Sequence, residues 1–282
     1  MAGQAVKGID HVVVVVRDIE AARAAYTTLG FQVQPRGFHA RLGTANHLMI
    51  FGDNYLELIG IVEPNPFNAE RRMWLEKNGG GLANAALRTD GADIAHAAWT
   101  AAGLQPDPVL DFDRAVDIAG KEERAAFRTV RLGTQRARLL GFFACEHLTP
   151  QFVYRPEWAG HANGVTTLAG ATVIARDPAT DEAYVRKVFG DQAVRREDGG
   201  LVVDSGGTPI RYVTPDRFTA LHPGIAPSRA DDHPALLSFH VSDVARTQAV
   251  LRGGGVAHAV APDRVLVPAS AACGVCIEFR KG

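Results

Sequence analysis

The chain has 282 residues, 46% hydrophobic and 22% charged, with a formal net charge of -1. That is an ordinary globular mixture, long enough for one large domain or two of usual size. Scattered Lys and Arg and a near-neutral balance argue against nucleic-acid and membrane-surface partners. Three cysteines are too few for a disulfide framework, and the CxxC spacing of Cys273 and Cys276 has no second pair to complete a zinc site. The opening MAGQAVKGID lacks the apolar stretch of a signal peptide, and no run is long enough to span a bilayer. A soluble, cytoplasmic protein is expected.

The first element is the valine run in GIDHVVVVVRD, residues 8–18, a strand with His11 at its mouth. IEAARAAYTTLG (19–30) carries apolar and small residues at helical spacing and stops at Gly30. Three strands are expected next: FQVQPR (31–36), TANHLMIF (44–51) and NYLELIGIV (54–62), the last two joined by the turn GDN. Residues 8–62 therefore read βαβββ.

The order then repeats. GLANAALRTDGADIAHAAWTAAGL (81–104) is a strand and a helix, and AFRTVRLG (126–133) with ARLLGFFACEH (137–147) reads as a closing hairpin. A third unit starts at LAGATVIARDPATDEAYVRKVFG (168–190) and continues through LVVDSG and IRYVTP. A fourth starts at ALLSFHVSDVARTQAVLRGGG (235–255) and ends with RVLVPA and GVCIEFR. Asp18, Asp90, Asp177 and Asp243 each stand at a strand–helix junction, where a carboxylate can accept a free helix N–H. The segments 63–80 and 149–164 read as joins. The fold class expected is α+β, four tandem βαβββ modules in two halves, residues 1–160 and 165–282.

Alternation along a strand puts His11, Val13 and Val15 on one face, and Tyr55, Glu57 and Ile59 on one face of theirs. A carboxylate among Leu56 and Leu58 is costly unless it is paired or binds a metal. The GxSxG elbow, the Walker loop and a GxGxxG between strand and helix are all missing. Trp74, Trp99 and Trp158 read as packing.

Four such units in tandem, the opening DHVVVVVRD…LGF, the stretch GTANHLMIFGDNYLELIG and the segment HLTPQFVYRPEWAGHANG resemble the vicinal oxygen chelate superfamily, and within it the glyoxalase-like domain group. Glyoxalase I, extradiol dioxygenases and bleomycin-resistance proteins belong to that superfamily. The resemblance implies paired curved mixed sheets around a cavity, with a divalent metal held by first-strand and last-strand residues. His11 and Glu57 match two such positions, and imidazole with carboxylate suits Fe, Mn, Ni or Zn.

The second module departs from the pattern. The equivalent of His11 is Ala83 counted from Asp90, or Asn84 if Gly91 caps the helix, so the second imidazole is missing. His147 and His47 are the substitute metal-ligand candidates. Asn46, His39, Tyr55 and Asn84 are candidate substrate contacts, with Glu57 and His11 as the catalytic pair. In the second half Gly170 and Leu236 stand at the ligand places, Glu278 matches Glu57 without a histidine partner, and His240 reads as a core residue. That half is expected to be structural. The expected function is a glyoxalase-like enzyme of lyase, isomerase or ring-cleaving type, acting on a small oxygenated substrate beside a metal or an acid–base cluster. The alternative is a metal-free small-molecule binding or resistance protein of the same fold. The expected partner is a small-molecule substrate, with a homodimer as the candidate assembly.

Overall fold

The computed structural model describes residues 5–132 and 139–282. Gly133 and residues 137–138 of the expected hairpin lie outside them. Among the described residues sixteen strands form two eight-stranded mixed sheets of the same design. The first contains β1 (Ile9–Val15), β2 (Gly37–His39), β3 (Thr44–Ile50), β4 (Tyr55–Ile61), β5 (Gly81–Arg88), β6 (Leu110–Ile118), β7 (Lys121–Arg131) and β8 (Gly141–His147), in the order β2-β3-β4-β1-β5-β8-β7-β6. The second contains β9 (Val165–Ile174), β10 (Val194–Glu197), β11 (Gly200–Asp204), β12 (Pro209–Val213), β13 (His233–Val241), β14 (Ala259–Ala261), β15 (Arg264–Val267) and β16 (Cys276–Lys281), in the order β10-β11-β12-β9-β13-β16-β15-β14. In each, two βαβββ modules meet through their first strands, which pair antiparallel, while every first strand pairs parallel with the last strand of its own module.

Each module has one long helix: α1 (Ile19–Thr28), α3 (Ala92–Ala101), α4 (Ala179–Phe189) and α6 (Val244–Gly253). In α1, Ile19, Ala22 and Tyr26 recur at helical spacing and are the buried face. Asp18 caps it by accepting from the Glu20 and Ala21 amides, and Asp243 caps α6 the same way. The other two junctions differ from expectation. Gly91 occupies the cap of α3, the Ala92 amide is bound by Glu146, and Asp90 pairs with Lys7. At α4 the cap is Pro178, although Asp177 still accepts from the Ala179 amide.

Between the sheets the helices and back-facing residues build one apolar core shared by both halves, including Tyr26, Trp99, Phe189 and Phe239. Trp99 is fully buried and donates its indole N–H to the Val188 carbonyl. The HANG segment ties the halves together, its Asn163 carbonyl accepting from the Thr247 hydroxyl of α6 at 2.7 Å. The His161 ring accepts from the Gln32 amide and donates to the Ile50 carbonyl, and Asn163 donates to the Leu29 carbonyl. Gly30 must be glycine here: its φ is +86°, and a Cβ would lie 2.6 Å from a Val250 methyl.

Four further differences concern single elements. FQVQPR is not a strand; β2 is the short piece that follows it. The second strands of the later modules, β6, β10 and β14, complete units whose closing hairpins alone were expected. The join at 63–80 holds a helix, α2 (Ala69–Asn78), and a further helix, α5 (Pro215–Leu221), runs into FTALHPGIAPSRADDHP (218–234), which reads as the join between the third and fourth units. No helix among the described residues is long and apolar enough to cross a membrane.

Candidate active site

The front face of the first sheet carries a hollow. Its lining includes His11 and Val13 of β1, Asn46 and Leu48 of β3, Tyr55, Glu57 and Ile59 of β4, and Arg114 of β6. Strand alternation brings these together as expected: Val12 and Val14 point back into the shared core, and His11 and Val13 point forward. Arg71 from α2 and Arg131 from β7 also line it, and both line an adjoining cavity with Asn84 and Trp74. The open space in each is small, about 50 Å³.

His11 is the centre of the site. It is 4% exposed and stacks on Tyr55, with ring centroids 4.3 Å apart. Its Nδ1 donates to Asp10 Oδ1 at 2.6 Å, and its Nε2 lies 3.8 Å from Glu57 Oε2. Asp10 shares this side of the sheet because it is the extra residue of a bulge: Ile9 pairs with Leu87 and His11 with Ala86, leaving Asp10 unmatched. Asp10 is fully buried and also accepts from His147 Nε2 at 3.0 Å, the Tyr154 hydroxyl at 2.5 Å and Arg88 Nε at 3.4 Å. Burial opposes its charge, but the bonds from His11 and His147 hold the carboxyl well below its ordinary range.

Glu57 accepts from the Asn46 side-chain amide at 2.6 Å through Oε1 and turns Oε2 toward His11. Burial would raise its pKa; the charge of His11, the Asn46 bond and Arg71 outweigh that and keep it below its ordinary value. It is therefore ionised at neutral pH. His39 sits behind Asn46, with Nδ1 3.1 Å from the Thr44 hydroxyl and Nε2 3.4 Å from the Asn46 amide. Burial lowers its pKa to about 4, so it is neutral at neutral pH. Burial, reinforced by Asp10, pushes the Tyr55 phenol up, so it is protonated. Gly37, cross-strand from Asn46, gives the space: a Cβ there would lie 2.4 Å from Asn46 Oδ1 and 3.3 Å from Arg114 Nη1.

The other candidates lie outside this hollow. His47 points to the opposite face, bonded to the Gln34 carbonyl at 2.7 Å, with Glu20 at 3.8 Å. His147 ends β8 and reaches the site only through Asp10. Asn84 belongs to the adjoining cavity. Sequence reading missed Asp10, Tyr154, Arg71, Arg114 and Arg131. The alternation in LDFDRAVDI, which sets Arg114 beside Phe112 and Val116 on one face, was a usable signal for one of them.

Strand registers decide the metal question for the family pattern. Val13 pairs with Asn84 and His11 with Ala86, so an approximate two-fold makes Asn84 the equivalent of His11. Glu57 pairs with Val13, and Phe143 with Ala86, so Phe143 is the equivalent of Glu57. Two of four ligand places thus hold an amide and a phenyl ring, and three guanidinium groups line the same cavity. These residues do not fit a four-ligand divalent centre. A different group, Asp10, His11, Cys145 and His147, has donor atoms within 4.8 Å of one another and could hold an ion. In this structure Asp10 instead accepts hydrogen bonds from both imidazoles.

Comparisons with known proteins agree with the architecture. Residues 9–188 match the glyoxalase-like domain family. No curated protein shows a significant match. A hypothetical protein from Staphylococcus aureus superposes with a TM-score of 0.70 at 11% identity, covering 97% of this chain and 99% of that one. A 4-hydroxymandelate synthase mutant from Streptomyces coelicolor gives 0.58 at 14%, covering 98% and 93%. A xylose isomerase-like TIM barrel/4-hydroxyphenylpyruvate dioxygenase fusion protein gives 0.57 at 16%, covering 91% of this chain and 40% of that one. At such identities the likeness is one of fold. With paired βαβββ modules in both halves and a family match over more than half its length, the chain belongs to the glyoxalase-like domain family of the vicinal oxygen chelate superfamily.

Proposed function

We propose that the hollow in the first half is an acid–base active site that moves a proton next to a carbonyl of a small oxygenated substrate. The observation that carries this is Glu57: an ionised, buried carboxylate with one oxygen fixed by Asn46 and the other facing His11 Nε2 across 3.8 Å. Glu57 takes the substrate proton, and the His11 imidazole facing it is the group that holds it ionised until then. Asp10 fixes the ring orientation and tautomer through Nδ1. The protonated Tyr55 phenol donates to a substrate oxygen, and the guanidinium groups favour the negative charge that develops there. No step requires a metal.

The halves divide the work: residues 1–160 carry the site and 165–282 are its structural partner. Supporting this, Gly170 and Leu236 occupy the places equivalent to His11 in the second sheet. Glu278 there is bonded to Ser238 at 2.7 Å and Arg264 at 2.9 Å and, contrary to expectation, has a histidine beside it, His222 at 3.6 Å, which comes from the end of α5 and not from the place equivalent to His11. A second reading, a metal-free binding protein, is favoured by the loss of half the ligand set to Asn84 and Phe143.

One experiment separates the two. Small hydroxy-ketones and keto-acids are incubated with the protein in D2O, and deuterium uptake is followed by proton NMR. The enzyme reading expects catalysed exchange that falls about 100- to 10,000-fold in Glu57→Gln while ligand binding persists. Binding without exchange across the panel supports the second reading and overturns the first.

A further inference from the structure

Three arginines reach the hollow from three different elements, and their purpose is not explained by proton transfer alone. Arg114 is 6% exposed in the middle of β6. Arg71 comes from α2, and its Nη1 is buried with no hydrogen-bond partner. Arg131 comes from the end of β7. Among the described residues lining the hollow, Glu57 is the only carboxylate. Asp10 is committed on its other side to two histidines, a tyrosine and Arg88.

Inside the hollow three guanidinium groups face one carboxylate, with His39 neutral at neutral pH; Arg131 is also balanced from outside by Asp107 and Glu70, so Arg71 and Arg114 are the two that depend on Glu57. Buried cations without counter-charge are expensive, and a fold keeps them where a ligand supplies the missing charge. Burial and the mutual repulsion of Arg71 and Arg131 pull the Arg71 pKa down to about 10, which still leaves it charged. A guanidinium buried beside its like, with an unpartnered N–H, is suited to cradle an anion.

We infer that Arg71, Arg114 and Arg131 form a subsite for the carboxylate of the substrate, so that the hollow selects small carboxylic acids. This deepens the proposed function and rests on its placing the substrate in the same hollow. A carboxylate fits better than a phosphate dianion. With Glu57 ionised and Arg131 balanced by Asp107 and Glu70, Arg71 and Arg114 leave a surplus of one, which a monocarboxylate neutralises. A dianion would overshoot it. Gly37 belongs to the same device, since any side chain there would press on Arg114.

The test is binding by isothermal titration calorimetry with acetate, pyruvate, oxalate, inorganic phosphate and the neutral amides acetamide and oxamide. The expected result is saturable binding of at least one carboxylate, with its amide analogue weaker by about tenfold or more. Arg114→Gln and Arg71→Gln should each weaken carboxylate binding about tenfold or more, and Glu57→Gln should tighten it by removing the one opposing charge. If either arginine variant is not folded by circular dichroism, Arg114→Lys and Arg71→Lys replace it: each keeps the charge, loses the planar fork, and should bind carboxylate more weakly than wild type. Equal binding of acid and amide, preference for phosphate, no binding of any carboxylate, or unchanged affinity in the folded arginine variants overturns the subsite. Carboxylate binding that depends on the arginines, without deuterium exchange in any substrate, upholds the subsite and sinks only the proton-transfer reading.

Discussion

Replacing Asp10 by Asn tests whether the buried network around His11 is what organises the site. The substitution keeps shape and volume, so no cavity term enters. It removes a charge that four donors surround: His11 Nδ1, His147 Nε2, the Tyr154 hydroxyl and Arg88 Nε. Whichever carboxylate oxygen becomes the amide NH2 then presents a donor to donors, so at least two bonds are lost. At about 1.5–3 kcal/mol for each charge-assisted bond, and with Arg88 left facing a neutral group, the loss is about 3–5 kcal/mol. That is a large part of the roughly 5–15 kcal/mol holding an ordinary domain together, and it corresponds to a fall in Tm of about 6–20 °C. The sign with pH follows from the depressed carboxyl. Its contribution is complete above its ordinary value of 3.8 and disappears as the pH falls below it, so the variant should lose stability at pH 7 and show a flatter acid limb. Urea unfolding of wild type and variant at pH 7 and at acid pH measures both. A loss under about 1 kcal/mol at pH 7 would refute the reasoning, because a fully buried, four-coordinated carboxylate cannot be that cheap to neutralise.

The remaining expectations follow from single groups. His39 is held to a pKa of about 4 against an ordinary 6.5, so the unfolded chain binds its proton first and stability falls as the pH drops from 6.5 toward 4; His39→Gln should remove up to ~3 kcal/mol of that slope in acid unfolding curves. Gly37→Ala pushes on Asn46 Oδ1 and should cost about 1–3 kcal/mol in urea unfolding and weaken ligand binding with it, whereas an unchanged protein would mean the approach is not tight. Trp99→Ala opens the shared core and should cost about 3–5 kcal/mol while leaving the front-face hollow intact, which unfolding curves and ligand titration together would check. Metal analysis of protein purified without added metal should find less than stoichiometric transition metal; a stoichiometric ion lost in His147→Ala would instead place it on the Asp10 group.

Much of the architecture is legible in the chain because the modules repeat. Four strand–helix pairs with small or acidic junctions announce themselves; parity puts His11 and Glu57 each on a single strand face, and the family resemblance turns both faces toward the cavity. What escapes is whatever breaks the local rule. Asp10 should point away from His11 by alternation, and only the bulge at Ile9–His11 turns it to the same side. Gly91 takes the cap of α3, and the Ala92 amide is bound by Glu146, 54 residues away in sequence, so the choice between Ala83 and Asn84 could not be settled before the register was known. Arg71 sits on a helix within a segment rich in Pro, Asn and Gly that reads as a linker, and its charge matters only because that helix folds over the hollow. His47 is the reverse case. It lies next to Asn46 in sequence, but alternation and the Gln34 carbonyl hold it on the far face of the sheet.

The most direct test of the central claim is a crystal structure of the protein soaked with the tightest-binding carboxylate, collected with anomalous data at transition-metal edges. The account predicts ligand density in the first-half hollow, its carboxylate against Arg71, Arg114 and Arg131 and a second oxygen near Tyr55, Glu57 and His11, with no metal signal between His11 and Glu57. A ligand seated beside Glu278 in the second half, or a metal held by His11 and Glu57, would contradict it.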